Sequence, residues 1–271
     1  MPAVRRQGRS FQPLPLILRW YERKPLPVRL LRSAKVPGPM QDAPPWLATG
    51  SVEQPFDFCG HVRRLLADIV ARCPTLGHVN ISSILLGITR ARSRRRHGLQ
   101  ARVTPLRFAH GTLTRRRHGA IYQVQRYFLD DHEYLYLMTF CLPRFLEQDF
   151  TDKFITLFHE MFHIHPTCNG DLRRHQGRYQ LHSHSQCSYD RHMADLARAY
   201  LAGNPDPGLH AFLRLDFAQL QKRHGAIAGI TVPRPKIIPV ALFERLSEPG
   251  RPQAAACFPG KENDPDNSAE Q

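Results

Sequence analysis

No two cysteines in this sequence stand in C-x-x-C spacing. The six, Cys59, Cys73, Cys141, Cys168, Cys187 and Cys257, are scattered. That argues against a zinc ribbon and supplies no disulfide framework; reduced thiols together with fifteen histidines fit a cytoplasmic protein better than a secreted one. No run reaches the ~18 apolar residues of a membrane helix. The opening stretch "MPAVRRQGRSFQPLPLILRWYERKPLP" has a basic start and a short apolar patch, but two prolines break the patch and Arg19 follows it, which speaks against a cleaved signal peptide. Acid is missing from Ile69 to Leu129, where twelve arginines stand unopposed. Glutamate is missing between Glu160 and Glu244.

What is there is enough for one sizeable core. Of 271 residues, 42% are hydrophobic, and the prolines cluster at both ends, so an ordered middle with looser flanks is expected. Residues 1–54 read as a basic, Pro-rich arm, flexible or loosely docked; 55–246 as the folded domain; 247–271 as a disordered tail. Within the domain, Val62, Leu65, Leu66, Ile69 and Val70 recur at helical spacing, and Pro74 ends that helix. Strand signals follow in "VNISSILLGITRARS", "ARVTPLRFA" and "GAIYQVQRYF". "HEYLYLMTFCLP" is apolar on both faces, as a covered central strand would be. "QDFTDKFITLFHEMFHIHP" reads as a buried helix capped by Asp149 or Thr151 and stopped by Pro166. Two more helices are expected, closed by Gly203 and Gly225, then one or two extended segments in "AIAGITVPRPKIIPVAL". The fold class is therefore α+β: an N-terminal helix on a small, mostly antiparallel sheet, a buried helix and further C-terminal helices.

The buried helix carries the chemistry. His159, Glu160 and His163 spell H-E-x-x-H. Residues four apart on a helix lie about 40° apart around its axis, so both imidazoles can reach one zinc ion. Glu160, about 100° from His159, can take a proton from a water held there. The plainer alternative is a pair of core histidines bonded to backbone. His165 lies about 200° from His163 and faces elsewhere. The extended motif H-E-x-x-H-x-x-G-x-x-H fails, with Pro166 and Asn169 in the wrong places, and no downstream glutamate can serve. A third ligand must then come from "GDLRRHQGRYQLHSHSQCSYDRHM". His182 is favoured, followed by His184, His175 and Asp190, with His192 and Asp171 also in the stretch. Asp171 and Asp190 could instead orient a ligand imidazole from behind.

On these residues the chain resembles the zincin metallopeptidases. The element order resembles the minimal zincin core of SprT-like proteins. "KFITLFHEMFHIHP", "GDLRRHQGRY" and "YDRHM" are similar to an uncharacterised bacterial family of zincin-type metallopeptidases. The resemblance implies zinc, a peptide-bond hydrolase fold and Glu160 as general base; it names no substrate. A donor such as Tyr179, Tyr189, His184 or an arginine would steady the oxyanion. The expected function is zinc-dependent hydrolysis of peptide bonds in a protein or peptide substrate. The competing expectation is a nucleic-acid-associated protein with a structural or non-catalytic zinc, contacting phosphates through the Arg-rich region 90–117. There, "RARSRRRHG" and "LTRRRHG" look like two turns between strands.

Overall fold

The structure, a computed structural model, describes residues 16–21, 28–31, 55–91, 98–129, 132–174 and 186–242. The expected tail from residue 247 lies outside them. Two segments of the basic arm are strands, β1 (Leu16–Tyr21) and β2 (Val28–Leu31). A short strand β3 (Phe56–Asp57) leads into helix α1 (Phe58–Arg72). Asp57 caps α1 by accepting from the Gly60 amide at 3.1 Å, which satisfies one of the orphan donors of the first turn. Val62, Leu65, Leu66 and Ile69 are wholly buried, as their spacing requires.

The central strands are β4 (Ile84–Arg90) and β5 (Ala101–Pro105). The hairpin β6 (Thr114–Arg117) and β7 (Ala120–Val124) follows, then β8 (Tyr127–Leu129), β9 (His132–Tyr134) and β10 (Tyr136–Leu142). The chain continues through helices α2 (Phe150–Phe162) and α3 (Gln186–Ala202), α4 (Pro207–His210) and α5 (Phe217–His224). Strands β11 (Ala226–Thr231) and β12 (Ile237–Leu242) end the described chain. The architecture is α+β, and no described helix is long and apolar enough to cross a membrane.

Three sheets matter for the site. β10 is the middle of β4-β10-β5, parallel to β4 and antiparallel to β5. A second sheet has the order β2-β1-β11-β3, and a third the order β12-β7-β6. The second reaches the first across Gly229 of β11, where a Cβ would stand 2.5 Å from Ile88 Cδ1. Any side chain at this position would have to displace Ile88, so glycine suits the approach.

β10 is covered on both faces. Tyr136, Met138, Phe140 and Leu142 join Ile84, Leu86 and Ile88 in the large core under α1, α2 and α3. Leu137 and Leu85 point the other way, into a smaller core with Leu106, Val124, Tyr127 and Tyr134. The sequence pattern suggests one strand through "HEYLYLMTFCLP" with Tyr134 on the same face as Tyr136. A bend at Leu135 instead separates β9 from β10 and turns Tyr134 into the smaller core. The Leu135 amide donates to Ser83 O at 2.9 Å and its carbonyl accepts from the Leu106 amide at 2.9 Å, so the bend keeps its backbone groups satisfied.

The stretch 208–225, readable as one helix, is broken. A 3-10 turn (Ala211–Arg214) follows α4, and Asp216 starts α5 with a capping box shared with Gln219. The break is held from outside: Lys153 of α2, 2% exposed, donates from Nζ to Leu213 O at 2.8 Å and Leu215 O at 2.9 Å. Burial pushes the Lys153 pKa down to about 8.

Candidate metal centre

α2 begins at Asp149 and has Asp152 in its first turn, where the helix dipole favours an anion. It buries Phe154, Leu157, Phe158, Met161 and Phe162, and Phe154 and Phe158 pack on Tyr200 of α3. This rigid seat presents His159 and His163 together at the C-terminal turn. Their rings meet edge to face at 77°, and the two Nε2 atoms stand 2.9 Å apart.

The two histidines fit a metal by donor chemistry. Both direct the same ring nitrogen to one point. Tetrahedral zinc with bonds of about 2.0–2.1 Å wants its two nitrogens roughly 3.4 Å apart, so opening the pair by about half an ångström would admit it. The other ring nitrogen of His159, Nδ1, lies 3.9 Å from Asp190 Oδ1 on α3. Asp190 therefore addresses the back of the ring, the side from which a carboxylate orients a ligand imidazole. Among the described residues no group of three or more His, Cys, Asp or Glu side chains is placed to hold a metal ion. His182, His184 and His175, like Tyr179, lie outside the described residues, as does the side chain of Tyr189.

Glu160 is 8% exposed, and its Oε2 accepts from the Val103 amide of β5 at 2.7 Å. Desolvation raises its pKa to about 7, opposed by that amide and by the charge of Arg102. β5 is the edge of its sheet, and Glu160 satisfies an edge amide that has no strand partner. Sequence reasoning singles out Glu160 but has no means of finding Val103, whose part is played by backbone alone.

The other candidates are occupied elsewhere. His165 Nδ1 meets Thr167 Oγ1 at 2.8 Å and accepts from the Thr167 amide at 3.2 Å. Asp171 is 2% exposed and ties its own turn, accepting from the amides of His110 and Leu172, both at 2.8 Å. Cys168 accepts from the Asn80 amide at 3.4 Å. His192 is exposed and packs edge-on against Phe162.

The segment after the helix doubles straight back. Ile164 bridges Leu172, and the Arg173 amide donates to His163 O at 2.7 Å. Arg173 also lies over the Phe162 ring, 4.0 Å from its centroid. Arg173, through its amide on the His163 carbonyl, and Asp190 of α3, facing His159, thus both neighbour the histidine pair. No family model, curated protein or solved structure matches the chain.

Proposed function

We propose that the protein is a zinc-dependent metallopeptidase with a zincin-like core, centred on His159, Glu160 and His163. One observation carries the reading: two ring nitrogens converge to 2.9 Å beside a carboxylate that the fold has stripped of water. A buried carboxylate and two half-buried imidazoles on one helical turn are costly to keep without a task. His159 and His163 would be two protein ligands. His182 is the preferred third, followed by His184, His175 and Asp190, because the sequence between α2 and α3 is long enough to return to the helix and His182 stands just before α3. Zinc bound there would supply Lewis acidity and lower the pKa of a water towards roughly 7.

The residues divide the remaining work. Glu160 accepts a proton from the attacking water and passes it to the leaving amine; a pKa near neutrality suits it to both transfers. The Val103 amide holds one carboxylate oxygen and leaves the other for the water. Asp190 favours the proton on His159 Nδ1, which turns the lone pair of Nε2 toward His163.

The test uses the full chain. Bound zinc is measured by mass spectrometry, and cleavage of casein is compared with that of Glu160→Gln. Stoichiometric zinc with cleavage lost in the variant is expected. Equal cleavage by both would overturn the mechanism. Zinc retained in a His159→Ala/His163→Ala variant would overturn the site. His182→Ala, His184→Ala and His175→Ala, assayed for zinc, identify the third ligand.

A further inference from the structure

The β6–β7 hairpin belongs to a different sheet from β5, whose Val103 meets Glu160, and has its own chemistry. All four residues of β6 are exposed, and three are Arg115, Arg116 and Arg117. The turn is the two residues His118 and Gly119, with φ of 48° and 73°. Positive φ at both central positions is the type I′ geometry that follows strand twist, so the arginines stand on a stiff ribbon. β6 is an outer strand of β12-β7-β6. Alternation puts Arg115 and Arg117 on one face, ~7 Å apart.

Arg115 and Arg117 stand in a stretch with no acids to meet. Neither 98–129 nor 225–242 contains an Asp or Glu, and Arg234 and Lys236, both exposed, precede β12 in the same sheet. Some arginines elsewhere do have acids: Arg72 with Asp68, Arg107 and Arg126 with Glu133, Arg174 with Asp171, Arg198 with Asp195. Arg115 and Arg117 form no ion pair with any described residue. Like charges on one face of a strand, as on Arg115 and Arg117, repel one another, and a polyanion relieves that repulsion. Of 38 basic residues in the chain 32 are Arg, the side chain whose planar fork matches phosphate.

We infer that the β6–β7 hairpin is a docking surface for the phosphate backbone of a nucleic acid. An anionic lipid surface fits less well. The exposed apolar residues of this sheet, Ile237, Ile238 and Val240, lie on β12. That is the opposite edge from the arginines, so basic and apolar groups do not share one amphipathic rim. No row of aromatics interleaves with the arginines, so the contact reads backbone charge and not base identity.

The test is fluorescence anisotropy of the full chain with a labelled mixed-sequence DNA duplex of about 30 base pairs, over ~50–200 mM salt. A single-stranded RNA of equal length and phosphatidylglycerol vesicles form the other arms. Binding that weakens steeply with salt is expected. Arg115→Ser/Arg117→Ser should weaken it about tenfold or more and lower the salt slope by about 2, whereas Arg115→Lys/Arg117→Lys should keep the slope. Arg72→Ser/Lys222→Ser removes the same charge elsewhere and should leave the slope unchanged. Stronger binding to RNA than to duplex, with the same variant pattern, names RNA as the source of the phosphates. An unchanged slope in Arg115→Ser/Arg117→Ser, an equal loss in Arg72→Ser/Lys222→Ser, or binding to vesicles alone would overturn the inference.

Discussion

β10 has two covered faces, and the chain uses them for opposite purposes. Toward the helices lies a deep core that holds wholly buried side chains such as Phe58, Phe140, Phe154 and Phe158. Seated in it are the two groups whose pKa values burial moves most usefully, Lys153 and Glu160. Toward the other side lies a core of six residues, from which the β12-β7-β6 sheet projects with its arginines in solvent. The contrast teaches where chemistry and charge can be afforded. A base that must be desolvated and fixed needs a packed seat. A field that must reach a distant partner needs only a stiff support and no acid nearby.

The largest effect should fall on the helix face. Glu160→Gln is expected to cut cleavage of casein by ~10²–10⁴-fold while leaving thermal unfolding nearly unchanged, because the amide oxygen can still accept from Val103. Glu160→Ala leaves that amide without a partner and should also cost ~1–3 kcal/mol in denaturant titration. Phe158→Ala should cost ~3–5 kcal/mol, and zinc uptake should fall with it. Leu85→Ala, on the other face, should cost ~2–3 kcal/mol, the low end of the usual range, since half-buried Phe108 and Val232 can close in. A loss as large as that of Phe158→Ala would erase the contrast between the faces.

Acid titration gives a smaller readout on the helix face. His224 is 4% exposed, and burial, with Arg223 and His61 nearby, lowers its pKa to about 4. Between pH 4 and the ordinary 6.5 the unfolded chain binds a proton that the folded one refuses. The His224 share of stability therefore rises with pH across that window, while Glu160, raised to about 7, contributes in the opposite sense between its ordinary value and 7. Melting temperatures at steps from pH 7 to pH 4 test the His224 share as a difference: the parent should lose more on acidification than His224→Gln does. The least effect on stability belongs to Arg115→Ser/Arg117→Ser, within about 0.5 kcal/mol of the parent; a larger loss in urea unfolding would make these arginines part of the scaffold.

Much of the helix face is legible in the sequence, because its signals are periodic. The spacing of Val62, Leu65, Leu66 and Ile69 gives α1, and H-E-x-x-H with its apolar neighbours gives the buried turn of α2. "LTRRRHG" reads as a turn between strands, and His118–Gly119 is one; "RARSRRRHG" falls largely in residues 92–97, outside the described residues. What escapes has no local signature. β1 is a short apolar patch among prolines until β11 pairs with it, from Leu16↔Thr231 to Tyr21↔Ala226. The break before Asp216 depends on Lys153, some sixty residues away in sequence. The parallel pairing of β4 with β10 is a matter of topology that alternation does not encode. Asp190 is legible only as a candidate ligand or orienter; the helix packing decides which ring nitrogen it faces.

The bond from the Val103 amide to Glu160 has a consequence for descent. It makes the acid part of the masonry at the edge of β5, beside its proposed part as a reagent. A lineage that abandoned the reaction would still be held to glutamate or glutamine at this position, because a smaller side chain strands a buried amide. If the proposed reaction holds, the glutamate of the motif can therefore outlive the activity, and the loss of the two histidines, whose Nε2 atoms face each other at 2.9 Å, would mark a retired enzyme.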